Sequence, residues 1–160
     1  MIAGESVIKA EGNKMNIAIG TDHRGFSLKQ NLVQLLRVPK VDLEWTDVGC
    51  FSQDCCDYPQ FARLVCEKVL NGKVDCGVLL CSTGIGMSIA ANRFNGIYAA
   101  LCWNTRIARL AKEHDNANVI VLPSDFVSFG EVQEIIKEWL SAEFKEGQYK
   151  KRLEILDSFK

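Results

Sequence analysis

Short apolar runs alternate with stretches of helical spacing along this chain. Residues 16–20 read Asn-Ile-Ala-Ile-Gly, a short buried strand. A polar turn over 21–25 follows, then a helix over 26–36 with Phe26, Leu28, Leu32, Leu35 and Leu36 on one face, closed off by Pro39. Residues 44–48 form a weaker strand, and 49–57 a polar, cysteine-rich loop. Pro59 suits the first turn of a helix that runs to about Leu70 and stops at Asn71-Gly72. The apolar run 76–81 is a third strand. It leads through Ser82-Thr-Gly-Ile-Gly86 into a helix rich in good helix formers. Strands over 97–102 and 118–122 flank a helix that Asn104 caps and that reaches about Glu113. A helix over 129–142, a break at Gly147 and a last helix over 150–159 complete the pattern.

Strands alternating with helices demand a parallel sheet with right-handed crossovers. Five strands are too few for an eight-fold barrel. The expected fold is therefore α/β, a Rossmann-like three-layer α/β/α sandwich with a five-stranded parallel sheet and a C-terminal helix. Residues 1–14 read as a flexible lead-in and 15–160 as one domain. Met15 could serve as an alternative start.

The chain has 160 residues, enough for one full-sized core, and 48% hydrophobic against 24% charged residues is ordinary for a globular protein. A net charge of −1 advertises no nucleic-acid or acidic-membrane partner. No apolar run approaches the roughly 20 residues of a membrane span, and the first fourteen residues lack a signal-peptide core. The seven cysteines are odd in number and contain no C-x-x-C pair. A disulfide framework is not expected, a reducing cytoplasm is, and most thiols other than Cys81 read as small buried apolar groups.

The richest chemistry lies in Cys81-Ser-Thr-Gly-Ile-Gly86. At a strand–turn–helix junction, backbone N–H groups converge on one small space, where they stabilise an oxyanion and ease deprotonation of a thiol. Ligands of open parallel sheets bind beyond the carboxyl ends of the strands. That rim collects Asp22, His23 and Arg24 after the first strand and Asp57 and Tyr58 after the second. Cys81, Thr83, Gly84 and Gly86 follow the third, and Trp103 and Asn104 the fourth. His114 precedes the fifth strand and belongs at the opposite edge. It is either a structural residue at a helix C-terminus, where the dipole favours imidazolium, or a group reaching a neighbouring subunit's site. No G-x-G-x-x-G and no P-loop occur. Two distant histidines make no metal site, so no metal is expected.

Four segments together carry a specific resemblance: 17–26 (Ile-Ala-Ile-Gly-Thr-Asp-His-Arg-Gly-Phe), Asp57-Tyr58-Pro59, 81–93 and 113–118. The chain from about Met15 onward resembles the type B ribose-5-phosphate isomerases, a family that includes bacterial galactose-6-phosphate isomerase subunits. The resemblance implies a cytoplasmic aldose–ketose isomerase of the pentose phosphate pathway. It would act on a small sugar phosphate as a homodimer or homotetramer with sites shared between subunits, with no metal or organic cofactor, and without a nucleic-acid or membrane partner. Cys81 would be the base, Thr83 the proton relay, and the 82–86 backbone, including Ser82, Gly84 and Gly86, the cradle of a cis-enediolate. His114 of the partner, helped by Asp22, would open the sugar ring. Tyr58 and Asp115 would line the sugar pocket, and His23 and Arg152 would hold the phosphate.

The chain departs from that pattern in several places. Ser82 replaces a usual Gly, Asp115 a usual Asn, and Gln148-Tyr149 a usual Arg-His. The segment 122–130 lacks the arginine often found after the fifth strand, a charge that Lys150, Lys151 or Arg24 would replace. Six-carbon sugar-phosphate isomerisation (allose or galactose 6-phosphate) and a non-catalytic sugar-phosphate-binding module are the alternatives.

Overall fold

A computed structural model describes residues 13–159. Five strands, β1 (Asn13–Thr21), β2 (Val41–Asp47), β3 (Cys76–Cys81), β4 (Ala99–Leu101) and β5 (Val119–Pro123), form one sheet in the order β2-β1-β3-β5-β4. Every pairing is parallel. Six α-helices accompany them among the described residues: α1 (Phe26–Leu35), α2 (Tyr58–Leu70), α3 (Ile85–Ala91), α4 (Thr105–Asp115), α5 (Phe129–Ser141) and α6 (Gln148–Asp157). None is long and apolar enough to cross a membrane.

The sheet is covered on both faces, which is why β3 and β5 are buried at every position. Side-chain alternation divides the core. Ile17, Ile19, Val78, Leu80, Ile120 and Leu122 pack with residues of α1, α4 and α5, among them Leu32, Ala108, Ile136 and Trp139. Ala18, Leu79, Cys81, Val119 and Val121 pack on the other face with Ala62, Val65, Met87 and Ala91 of α2 and α3. The Trp139 ring is almost wholly buried, and its Nε1 donates to Ala117 O at 3.2 Å. Two of the helix starts are fixed by side chains. Asn104 Oδ1 accepts from Ile107 N at 2.9 Å, and Ser128 with Glu131 closes a capping box on α5. In contrast, α6 buries none of its residues.

Two strand starts lie three residues before the periodicity reading, β4 is shorter than the expected 97–102, and α6 lies two residues before the expected 150–159. β1 starts at Asn13, because Asn13 and Lys14 pair with Val41 and Asp42 of β2. The rest of the expected lead-in lies outside the described residues. β2 runs three residues earlier than expected, with Val41, Leu43 and Trp45 less exposed than Asp42 and Glu44 between them.

The order in which strands are added to the sheet reverses between β1 and β3, since β2 lies on one side of β1 and β3 on the other. Such a switch point opens a crevice at the carboxyl ends of its two strands. Thr21 pairs with Leu80, so Asp22 and Cys81 leave the sheet side by side. The loop after β2 is stitched to the same place. Thr21 N donates to Gly49 O at 2.8 Å, and Cys50 N to Thr21 O at 2.9 Å. Beneath it lies a fully buried lysine. Lys29 Nζ bonds both Asp47 carboxylate oxygens (2.7 and 2.8 Å) and Cys50 O (2.7 Å), with the Phe51 ring centroid 4.9 Å away.

Candidate active site

Asp22 is the organising side chain of the crevice. It is buried, 6% exposed, and caps the short 3-10 turn His23–Gly25. Its Oδ1 accepts from Arg24 N (3.0 Å) and Gly25 N (3.4 Å). This leaves Oδ2 for Cys81, whose Sγ donates to it at 3.2 Å. Cys81 is itself buried, 8% exposed, yet its sulfur meets a carboxylate rather than hydrocarbon alone.

Burial, and after it that contact, overturn the expectation of a thiol made more acidic by its turn. Burial pushes the Cys81 thiol up to about 11, and the hydrogen bond and negative charge of Asp22 push the same way. The amides of Gly84 and Ser82 do favour the thiolate, as the loop pattern suggested, but they are outweighed. Asp22 lies 59 residues from Cys81, beyond any local reading of the turn.

The turn after β3 has the expected shape. Gly84 takes a positive φ of 74°, and a Cβ there would lie 2.5 Å from Leu101 Cδ1. Thr83 is exposed, and its Oγ1 accepts from Ile85 N at 3.3 Å, helping to close the first turn of α3. Gly86 is required by a close approach, since a Cβ would sit 2.7 Å from Tyr58 Cζ. The half-buried Tyr58 ring thus packs against the loop, brought there by the first turn of α2. His23, also half-buried, accepts from Cys56 N through Nδ1 (3.4 Å), which leaves Nε2 as its donor when neutral. Asp57 and Trp103 are exposed, and Asn104 is occupied in capping α4. Ser82 Oγ donates to Asp125 Oδ2 at 2.6 Å. Asp125, in the loop after β5, carried no motif that singled it out from sequence.

His114, Asp115 and Arg152 lie elsewhere. Val119 pairs with Gly77 and Pro123 with Cys81, so the segment entering β5 is about 13 Å from Cys81 along the strands. His114, in the last turn of α4, stacks on Tyr149 of α6 with ring centroids 4.2 Å apart and planes 7° off parallel. Arg152 places Cζ 5.6 Å from the centroid of the same Tyr149 ring. Asp115 is exposed beside them. One chain therefore gathers Cys81, Asp22, His23, Thr83 and Tyr58 at one edge of the sheet and an imidazole–phenol–guanidinium stack at the other.

All seven cysteines are free. Cys50, Cys66, Cys76 and Cys102 are buried as expected, whereas Cys55 is exposed and Cys56 half-buried in the loop beside His23. Among the described residues, no group of three or more His, Cys, Asp or Glu side chains is placed to hold a metal ion.

Known proteins share this architecture. The chain is 39% identical over 140 residues to ribose-5-phosphate isomerase B of Escherichia coli, covering 88% of this chain and 93% of that one. The crystal structure of a ribose 5-phosphate isomerase from Thermotoga maritima is 40% identical and superposes with a TM-score of 0.84, over 89% of this chain and 97% of the other. Ribose-5-phosphate isomerase B from Mycoplasma genitalium, solved with bound ribulose-5-phosphate, is 38% identical with a TM-score of 0.82, over 90% and 95% of the two chains. The Ribose/Galactose Isomerase family model matches residues 17–156, and the chain belongs to that family.

Proposed function

We propose that this protein interconverts ribose 5-phosphate and ribulose 5-phosphate through a cis-enediolate, with Cys81 as the base. The observation that carries this reading is the place of Cys81 at the switch point of the sheet, at the rim of the 82–86 loop, whose Ser82 and Gly84 amides favour its thiolate. Cys81 as thiolate takes the proton from C2 of the aldose and returns it to C1 of the ketose. Thr83 relays the hydroxyl proton between O1 and O2. Amides of the loop stabilise the enediolate oxygen, each well-placed donor contributing roughly 3–4 kcal/mol.

The thiol's high pKa sets a cost on this chemistry. Ionising a group of pKa about 11 at neutral pH takes about 5 kcal/mol. A turnover of about ten per second corresponds to a barrier of about 16 kcal/mol, so the ionisation fits inside an ordinary enzymatic barrier. Asp22 accepts the thiol's hydrogen bond and so holds the sulfur in place beside the loop.

Ring opening and phosphate binding need the other edge of the sheet. In this reading the partner copy of a homodimer, or of a tetramer built from such dimers, brings its own His114, Asp115 and Arg152 over the Cys81 rim. His23 then shares the phosphate with the partner's Arg152, and Tyr58 lines the sugar pocket. The bound ribulose-5-phosphate of the Mycoplasma genitalium relative supports a pentose phosphate as substrate. Seven free thiols suit a reducing cytoplasm.

The test is an assay of the purified protein with ribose 5-phosphate and allose 6-phosphate side by side. Turnover favouring ribose 5-phosphate is the expected result. A preference for the six-carbon substrate would transfer the reading to a longer pocket, and binding of either sugar without turnover would leave only a sugar-phosphate-binding module.

A further inference from the structure

An ion pair bridges two loops at the Cys81 edge. Arg24, in the turn after β1, donates through Nη2 to Asp125 Oδ2 at 2.9 Å, and Asp125 lies in the loop after β5. The same oxygen accepts from Ser82 Oγ at 2.6 Å. Backbone contacts fasten this loop to the site: Asp125 N donates to Ser82 O at 3.1 Å and Ser124 N to Cys81 O at 2.8 Å. Arg24 therefore extends from the residue next to His23 toward a carboxylate anchored beside Cys81.

The chemistry of this pair is that of a holding partner. Its side chains are 56% and 35% exposed, and an ion pair so open to water holds weakly. Asp125 is kept below the usual carboxylate range by the Ser82 hydroxyl and by Arg24, so it is anionic at neutral pH. A phosphate monoester brings nearly two negative charges and three acceptor oxygens, and a guanidinium binds it in bidentate fashion. Such a group competes effectively with a single carboxylate oxygen that Arg24 already shares with a hydroxyl.

We propose that Asp125 occupies, in the free protein, the anion position that the substrate's phosphate takes, so that Arg24 exchanges carboxylate for phosphate as substrate binds. The inference rests on the reading that the substrate is a sugar phosphate with its phosphate near His23. It makes Arg24 a phosphate ligand and Asp125 a specificity-determining residue. A sugar without phosphate cannot displace the carboxylate and meets a closed ion pair.

Inorganic phosphate is the probe, titrated calorimetrically into the full chain as wild type, Asp125→Asn, Arg24→Gln and the double variant. Asparagine keeps an acceptor for Ser82 while removing the charge, and Asp125→Ala serves as a second variant should asparagine disturb the loop. We expect Asp125→Asn to tighten phosphate binding about threefold or more and Arg24→Gln to weaken it. The gain from Asp125→Asn should largely vanish when Arg24 is already Gln. In turnover, Asp125→Asn should lower KM for ribose 5-phosphate by more than it changes kcat. Equal phosphate affinity in wild type and Asp125→Asn, no detectable binding in either, or an undiminished gain in the Arg24→Gln background would each overturn the proposal. Because the titration needs no turnover, a failure of isomerase activity is distinguishable from a failure of this exchange.

Discussion

Lys29→Met removes the cation buried beneath the Cys81–Asp22 crevice while keeping most of the side chain's volume. Three acceptor contacts disappear together: two to Asp47 and one to Cys50 O, all at 2.7–2.8 Å. Breaking a buried pair by deleting one partner costs about 3–5 kcal/mol. Asp47 retains 25% side-chain exposure, so water can reach it, and the lower end, about 3 kcal/mol, is the appropriate figure. For a domain of this size that lowers the melting temperature by about 6–12 °C. Urea denaturation measures the free energy directly, with the exposed Lys14–Glu44 pair as the internal control. Lys14→Met should leave the urea midpoint close to that of wild type. The double variant Lys29→Met/Asp47→Leu should recover part of the loss, because the stranded carboxylate is gone although Gly49 N loses the acceptor it has in Asp47 Oδ1. A Lys29→Met protein within about 1 kcal/mol of wild type would refute the claim that this cation clamps the loop.

Cys81→Ala should fold normally and lose turnover, checked by melting temperature and by proton exchange at C2 of ribose 5-phosphate; near-wild-type rates would remove Cys81 as the base. In Asp22→Asn, the thiol should titrate below about 11 because a neighbouring negative charge is lost, and thiolate ultraviolet absorbance will report it. Lys150→Gln/Lys151→Gln should raise KM for the sugar phosphate, and an unchanged KM would exclude these lysines from the phosphate anchor. Alkaline pH should destabilise the fold. The Cys66, Cys76 and Cys102 thiols are pushed up to about 12 by burial and Cys81 to about 11, whereas unfolded thiols ionise near 9. The folded state then holds more protons than the unfolded one, so stability is full below about pH 9 and falls above it, by up to about 1.4 kcal/mol per pH unit per thiol. Urea midpoints at about pH 8 and about pH 10 test this; equal midpoints would contradict it.

The central strands were legible because β3 and β5 are covered on both faces and so read as unbroken apolar runs. β2 was harder to place. It is an edge strand whose Val41, Leu43 and Trp45 alternate with acids, a weaker signal than a solid apolar block. The opposite-edge position of His114 followed from strand polarity alone. What sequence could not supply were pairings between distant loops. Lys29 reads as a polar residue of an amphipathic helix until the loop after β2 folds over it. The acidity of Cys81 was misjudged because the amides that favour its thiolate are sequence neighbours, whereas the burial that opposes them, and after it the carboxylate from the end of β1, come only with the fold. Asp125 is one acid among many until Arg24 and Ser82 meet it.

The separation of Cys81 from the His114–Tyr149–Arg152 stack has a genetic consequence under the proposed dimer. A Cys81→Ala protomer still carries an intact stack, and a His114→Ala protomer an intact sulfur. On the proposed roles each homodimer lacks a group needed to turn over the ring form of the sugar, but in the hybrid one of the two pockets receives only unmutated groups. Co-expression of the two inactive alleles should restore activity, and the hybrid species should run at about half the wild-type rate per dimer.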